Sequence, residues 1–243
     1  MELTQHLSTL EYPGRGIVLG MLGECPVGLY FVTARSAASK AKKYVLAADE
    51  KSISVQTTNL KVMARGKLDL LQYTSVRISE QGFVVGNGRQ VDSVEIAEEG
   101  NAVQRLTTDL NGWSYEDDAY HTPRITGFFT LSGKEPSAAL HIIRSNEIGT
   151  AGRSIFEVPL ASGTGRLLTT YRGENVRPTP AFQGEPIAVE FAEGELSALV
   201  QSVYDALAPK DKKEDLRLSV MGVVFDPATR VSETHIINIP EVA

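Results

Sequence analysis

The chain has 243 residues, of which 42% are hydrophobic and 22% are charged, and its formal net charge is −6. A chain of this length buries about 70% of its extended surface on folding, so its core needs neither disulfide nor metal support. The negative charge argues against nucleic acid as a partner, because phosphate backbones bind basic surfaces. The apolar stretches at residues 17–22 and 27–34 are far shorter than the roughly 20 residues that cross a bilayer, which argues against a membrane partner.

The single cysteine, Cys25, excludes an intrachain disulfide and fits a reducing compartment. Residues 1–6 lack the basic start and apolar run of a secretory signal. We therefore predict a cytoplasmic protein.

The sequence gives no sign of a bound metal or cofactor. The four histidines are scattered along the chain, and no two stand four residues apart. Gly14, Gly16 and Gly20 lack the spacing of a dinucleotide-binding loop, and a hairpin rather than a helix is expected after them. We predict no metal and no cofactor.

Short β-branched and aromatic runs separated by turn residues predict many strands. In chain order these are residues 29–34, 43–47, 70–78, 82–86, 124–131, 138–144, 154–160, 165–171, 216–225 and 234–239. The clearest helix is residues 193–207, where Leu196, Leu199, Val200 and Val203 recur at helical spacing. Two shorter helices are predicted at residues 91–99 and 102–110. Strands in hairpin succession with few helices indicate an α+β protein of antiparallel sheets covered by helices. No linker divides the sequence, so we predict one domain over residues 1–243.

Four short clusters combine tight turns with side chains that suit an oxyanion. A guanidinium offers forked donors to a phosphate, and hydroxyls and helix-start amides complete such a site. The clusters are Tyr-Pro-Gly-Arg-Gly at residues 12–16, Arg-Ser-Ala-Ala-Ser-Lys at residues 35–40, Tyr73 and Arg77 followed by Asn87-Gly88, and residues 116–125 with Glu116 and Arg124. Lys40, Lys42 and Lys43 form either a solvated helix end or a positive field for a small anion. The clusters predict a site for a small phosphorylated metabolite.

Taken in order, these clusters resemble the archaeal-type IMP cyclohydrolase family and its bacterial relatives. Members of that family open with Tyr-Pro-Gly-Arg-Gly, matched at residues 12–16, and continue with Gly-Arg-Ser-x-x-Ser, matched at residues 34–39 apart from Ala34. The family's strand tyrosine, its Asn-Gly turn with a nearby aspartate, and its glutamate before Thr-Pro-Arg-Ile follow in the same order here. A Phe-x-Gly-Glu-Pro segment is similar to residues 182–186. The resemblance extends from Tyr12 to Pro186.

The resemblance implies a four-layer αββα sandwich like that of the N-terminal-nucleophile hydrolases. It also implies the last step of purine synthesis, in which 5-formamidoimidazole-4-carboxamide ribonucleotide closes to IMP and water. The implied partner is a purine ribonucleotide, and a homo-oligomer is an open option.

Residue by residue, the resemblance implies catalytic roles for Arg35, Tyr73 and Glu116. It implies substrate contacts for Arg15, Ser36, Ser39, Asn87, Gly88 and Arg124. Two structural alternatives stay open: Glu116 and Arg124 as an ion pair, and Tyr73 as a buried packing residue.

The sequence also departs from the family pattern. Ala34 replaces a glycine, and Lys40-Ala41-Lys42 stands where many bacterial relatives carry Arg-Asn-Arg. The segment before Thr122 is one residue shorter. These changes support a second hypothesis, a non-catalytic nucleotide-binding or regulatory protein on the same fold. A third hypothesis, an amide hydrolase with an N-terminal nucleophile, would require cleavage before a residue such as Cys25.

Overall fold

The computed structural model describes residues 1–59, 72–209 and 214–239. Within these ranges, six antiparallel strands form the first sheet: β1 (Arg15–Leu22), β2 (Cys25–Thr33), β10 (Thr164–Thr169), β11 (Ile187–Glu190), β12 (Arg217–Phe225) and β13 (Ser232–Asn238). Their spatial order is β11-β10-β1-β2-β12-β13. The hairpin of β1 and β2 therefore lies at the centre of the sheet.

The second sheet consists, in the described chain, of seven antiparallel strands in sequence order. They are β3 (Lys42–Leu46), β4 (Ser52–Thr57), β5 (Thr74–Ser79), β6 (Gly82–Gly86), β7 (Arg124–Thr130), β8 (Ser137–Ser145) and β9 (Ala151–Glu157). Each strand pairs with its sequence neighbour, which is the arrangement that short turns between strands favour.

The two sheets pack face to face through one apolar core. Alternate strand residues point to opposite faces, so Tyr30 enters this core while Phe31 packs on the outer side. The sheets approach closely at Gly28, where an added Cβ would lie 2.5 Å from the ring of Phe83.

Helices cover both outer faces. On the first sheet lie α1 (Leu3–Leu7) and, further along the chain, a longer helix, Leu196–Ala206, that buries Leu199 and Val203. A helical turn, α2 (Ala37–Lys40), follows β2, and α3 (Ala102–Asp109) covers the second sheet with the 3-10 turn Arg89–Ser93. The helix Leu196–Ala206 is α4. The predicted α+β fold with four αββα layers is thus confirmed, while the likeness to N-terminal-nucleophile hydrolases and the single domain over 1–243 stay predictions.

Most predicted strands are present, and the helices predicted at 102–110 and 193–207 are observed as α3 and α4. Strand β1 and the short elements α1, α2, β4 and β11 were not among the predicted strands and helices. The first two residues of the strand predicted at 70–78 lie outside the described residues, and β5 begins at Thr74, so Tyr73 immediately precedes the strand. In the described ranges, no helix is long and apolar enough to cross a membrane.

The helix predicted at residues 91–99 is wrong. A 3-10 turn ends at Ser93, and extended backbone follows at Val94. The guanidinium of Arg77 explains the difference, because its NH1 donates to the carbonyls of Val91, Asp92 and Val94 at 3.0–3.2 Å. An α-helix would need those carbonyls for its own hydrogen bonds.

Candidate active site

A polar cleft lies at the end of the sandwich where β1 begins, β2 ends and α2 follows. It encloses about 240 Å³, and its walls include Arg35, Ser36, Asp118, Thr122 and Tyr171. Tyr12, Arg15 and Ser39 line this cleft and also an inner chamber of about 20 Å³, which is further walled by Lys42, Tyr44 and Tyr73. Five of the predicted site residues, Arg15, Arg35, Ser36, Ser39 and Tyr73, therefore meet at one place.

Arg15 is held at the junction of cleft and chamber by a rigid backbone. Gly14 has φ +74°, and a Cβ there would lie 2.3 Å from Oγ1 of Thr170, so this position requires glycine. The hydroxyl of Thr33 donates to the Gly14 carbonyl at 3.0 Å and accepts from the Gly14 N–H at 3.1 Å. Burial disfavours the charge of Arg15, but the Glu116 carboxylate, together with the nearby phenols of Tyr73, Tyr30 and Tyr171, raises the Arg15 pKa well above its ordinary value. Arg15 is thus a fixed cation.

Arg35 connects the cleft to the segment at residues 175–179. Its NH1 donates to Oδ1 of Asn175 at 3.1 Å and to the Val176 carbonyl at 3.0 Å, and its NH2 donates to the Thr179 hydroxyl. Its guanidinium also lies 4.0 Å from the ring centroid of Tyr12. These contacts order one wall of the cleft, and the catalytic role of Arg35 stays a hypothesis.

Ser36 and Ser39 belong to the short turn α2. The Ser36 hydroxyl caps that turn by accepting from the Ser39 N–H at 3.1 Å, and it donates to the Ser39 hydroxyl at 2.9 Å. The two hydroxyls therefore form a fixed pair on residues that line the cleft.

Three tyrosine hydroxyls meet beside the inner chamber. The Tyr73 hydroxyl lies 3.2 Å from that of Tyr44 and 3.4 Å from that of Tyr30. Burial raises the pKa of both Tyr30 and Tyr44, so these phenols stay protonated at neutral pH. Tyr73 is only 7% exposed and walls the chamber, so it contributes to packing as well as to the site.

Glu116 is buried, with 3% of its surface exposed, in the middle of several cations. Asn87 donates through Nδ2 to Oε1 of Glu116 at 3.3 Å and to the Pro123 carbonyl at 2.8 Å. Burial raises the Glu116 pKa above its ordinary value, while the nearby charges of Arg15, Arg124 and Lys42 act in the opposite direction. A carboxyl group with a raised pKa can exchange a proton nearer to neutral pH.

Arg124 and Gly88 are close to Asn87: Gly88 follows it in the chain, and Arg124 precedes Ile125, whose N–H donates to Asn87. Arg124 donates through NH1 to Oε1 of Gln90 at 3.1 Å and through Nε to the Ser114 carbonyl at 3.0 Å. A Cβ on Gly88 would lie 2.1 Å from NH1 of Arg124, which explains the glycine. Four predicted site residues do not belong to the described residues that line the cleft or the chamber: Asn87, Gly88, Glu116 and Arg124. Their predicted substrate and catalytic contacts stay hypotheses.

Lys42 is a site residue whose individual role the sequence analysis missed. It is 7% exposed, and burial, together with the charge of Arg15, lowers its pKa to about 8 although Glu116 raises it. The signal was available, because Lys42 and Tyr44 alternate on β3 and therefore share one face. The buried Thr122 hydroxyl, which donates to Oδ2 of Asp118 at 2.6 Å and lies 2.8 Å from the Tyr171 hydroxyl, was likewise not predicted.

The family model described as IMP cyclohydrolase-like protein matches residues 12–224. This chain belongs to the IMP cyclohydrolase-like family. A curated relative named IMP cyclohydrolase, from Haloarcula marismortui (strain ATCC 43049 / DSM 3752 / JCM 8966 / VKM B-1809), is 29% identical over 137 residues. Those residues are 56% of this chain, and the match spans 62% of the length of the relative. The predicted family resemblance is confirmed, and every predicted site residue lies inside the span of the family model.

Other features of this family member lie away from the cleft. Cys25 begins β2 and Thr33 ends it, so the thiol lies about 26 Å from the chamber at roughly 3.3 Å per residue. Cleavage before Cys25 would also cut the central hairpin.

In the described ranges, no group of three or more His, Cys, Asp or Glu residues could hold a metal ion. Two larger surface clefts, of about 670 and 470 Å³, lie near Asn101 and Leu207.

Proposed function

We propose that this chain is an IMP cyclohydrolase that closes 5-formamidoimidazole-4-carboxamide ribonucleotide to IMP and water. The observation that carries the proposal is the convergence of Arg15, Lys42 and Tyr73, from separate strands or strand ends, on the chamber beside the cleft, inside the span of the family model. The buried Glu116 lies within the electrostatic field of the same cations.

The polar side chains of the cleft suit a nucleoside monophosphate. Its 240 Å³ lies somewhat below the roughly 300–1,000 Å³ of small-molecule sites, and the adjoining chamber adds a little to it. Arg35, Arg177, Ser36 and Ser39 line the cleft, and their guanidinium and hydroxyl groups would bind the phosphate. The base would then lie against Tyr12 and Arg15.

Ring closure needs a positioned substrate and a stabilised oxygen rather than a co-reactant. The carboxamide nitrogen of the substrate attacks its own formyl carbon, so holding the two groups in contact supplies a large part of the acceleration. The formyl oxygen gains negative charge during the attack. Arg15 stays charged in a buried position and is the donor for that oxygen.

Proton transfer is assigned to Glu116 and Tyr73. The raised pKa of Glu116 brings its carboxyl group closer to the working pH, where general acid–base catalysis contributes about 10²–10⁴ in rate. The Tyr73 hydroxyl would orient the reacting groups at the chamber.

The test mixes the purified chain with the formyl ribonucleotide and follows both purine absorbance and product identity. The proposal predicts IMP formation far above the rate in buffer. Tyr204→Phe, on α4, is the control variant and is expected to retain that rate. No acceleration over buffer would refute the proposal.

A second candidate function is a non-catalytic nucleotide-binding protein. The stretch Lys40-Ala41-Lys42 departs from the family pattern. Nζ of Lys40 lies 2.5 Å from Oε1 of Glu214, so this lysine forms an ion pair at the surface. This candidate would be favoured if IMP raised the melting temperature of the chain while the formyl ribonucleotide was not converted.

A further inference from the structure

The inner chamber has the size of one water molecule. It holds about 20 Å³, and a cavity that binds one water needs about 10–15 Å³. The chamber is thus far too small for the base or sugar of a ribotide. It shares Tyr12, Arg15 and Ser39 with the cleft, so an atom bound in it lies next to a molecule bound in the cleft.

The polar groups of the chamber fit the hydrogen-bonding capacity of water. Lys42, Tyr44 and Tyr73 belong to its walls and carry one ammonium and two hydroxyl groups, and these residues are 7%, 2% and 7% exposed. The Tyr44 and Tyr73 hydroxyls already share one hydrogen bond at 3.2 Å, but a phenol and an ammonium can each make more than one, so together they can supply the about three hydrogen bonds of a buried water. The Thr33 hydroxyl is already engaged with Gly14, and Val32 supplies an apolar wall.

We propose that this chamber, enclosed by Lys42, Tyr44 and Tyr73, is a binding site for the single water molecule released in ring closure. The inference rests on the proposed function and adds a site and a residue to it. It assigns Lys42 as the group that protonates the departing oxygen.

The chemistry balances without a co-reactant. The carboxamide nitrogen bonds to the formyl carbon and passes one proton to the formyl oxygen, which becomes a hydroxyl group. The carbon–oxygen bond then breaks, its electron pair leaves with the oxygen, and Lys42 donates the proton that completes water. The former formamide nitrogen loses its proton, its electron pair forms the carbon–nitrogen double bond, and that proton restores Lys42.

The surroundings of Lys42 suit this role. Burial and Arg15 lower its pKa to about 8, Glu116 opposes them, and the Tyr44 and Tyr73 hydroxyls wall the same space. An ammonium group of this pKa is a better proton donor at neutral pH than an exposed lysine, since the best catalytic pKa lies near the working pH.

Two variants and one crystal structure test the inference. Tyr44→Phe removes one hydroxyl while keeping the ring, and Val32→Leu fills the chamber with one methylene group. Both are expected to lower kcat about tenfold or more and to change KM by less than about threefold. Tyr204→Phe is the matched control and should retain kcat. A high-resolution crystal structure of the full chain is expected to show one ordered water between Lys42, Tyr44 and Tyr73.

The outcomes separate this inference from the proposed function. A wild-type chain without turnover contradicts the proposed function. A dry chamber in an active enzyme, or an unchanged kcat in both variants, overturns the water site. If Val32→Leu does not fold, the kcat of Tyr44→Phe decides.

Discussion

Nδ2 of Asn87 lies 3.3 Å from Oε1 of Glu116, and Oδ1 of the same carboxamide accepts the Ile125 N–H at 2.8 Å. One buried side chain thus connects the turn after β6, the loop that carries Glu116 and the start of β7. The carboxylate that we assign to proton transfer is positioned by this connection.

Replacing Asn87 with aspartate should disturb Glu116 directly. The change removes both Nδ2 donations and places a second acidic group beside a buried carboxylate, which raises the Glu116 pKa further. We expect the acidic limb of the kcat pH profile to move to higher pH and the melting temperature to fall. Asn111→Asp, at an exposed position, is the control. An unchanged profile would contradict the connection.

Gly88→Ala should act on activity through Arg124. The backbone at Gly88 is extended, so alanine is not strained there, but its Cβ would lie 2.1 Å from NH1 of Arg124. We expect the guanidinium to shift and kcat to fall several-fold, with a stability loss of about 1 kcal/mol, the typical effect of a single substitution. Gly112→Ala is the control, because no atom lies within 4 Å of its added Cβ. Equal kcat values in the two variants would show that Arg124 plays no part.

Glu116→Gln and Arg35→Ala should separate chemistry from binding. The glutamine keeps the shape of Glu116 and loses its proton transfer, so kcat should fall by about 10²–10⁴ while IMP affinity changes little. Arg35→Ala removes the contacts to residues 175–179 and the assigned phosphate donor, so binding should weaken most. Steady-state kinetics and IMP titrations provide both values. Equal, mild effects of the two changes would disprove the assigned roles.

Lys42 should leave a signature in stability at alkaline pH. Its pKa is about 8 in the folded chain and 10.5 for an unperturbed lysine, so between these values the unfolded chain binds the proton and the folded chain does not. The free energy of unfolding should therefore rise with pH from 8 to 10.5, by up to about 3 kcal/mol. Urea unfolding of Lys42→Met should lack this rise. The same slope in the variant would mean that another group titrates.

His141 should contribute to instability in acid. It is buried on β8, and burial, with the charge of Arg153, lowers its pKa to about 4. Between pH 6.5 and 4 the unfolded chain binds the proton that the folded chain does not. Stability should therefore fall as pH drops through this window, by up to about 3 kcal/mol.

The matching variant is His141→Leu, in which this part of the acid slope should disappear. His121→Asn is the control, since His121 is exposed at φ +48° and asparagine tolerates that backbone. An unchanged slope in His141→Leu would contradict the assignment.

The sequence predicted most strands and several residues of the cleft. It did not predict the 3-10 turn Arg89–Ser93 or the position of Lys42 in the site. Strand alternation and turn residues are local signals, so most strands and the helices α3 and α4 could be located. The turn at Arg89–Ser93 could not, because its carbonyls bond to Arg77, which is distant in the sequence. Within the site, Arg15, Arg35 and Tyr73 belong to recognisable motifs. Alternation along β3 places Lys42 on the same face as Tyr44, but only the tertiary structure brings it close to Arg15 and Glu116.

The most direct test of the ribotide site is a crystal structure of this chain soaked with IMP. We predict the purine against Tyr12 and Arg15, its C2 atom facing the chamber of Lys42, Tyr44 and Tyr73, and the phosphate beside Arg35 and Ser36. Density for IMP in the surface cleft near Asn101 or in the one near Leu207, with none beside Arg15, would contradict the assignment.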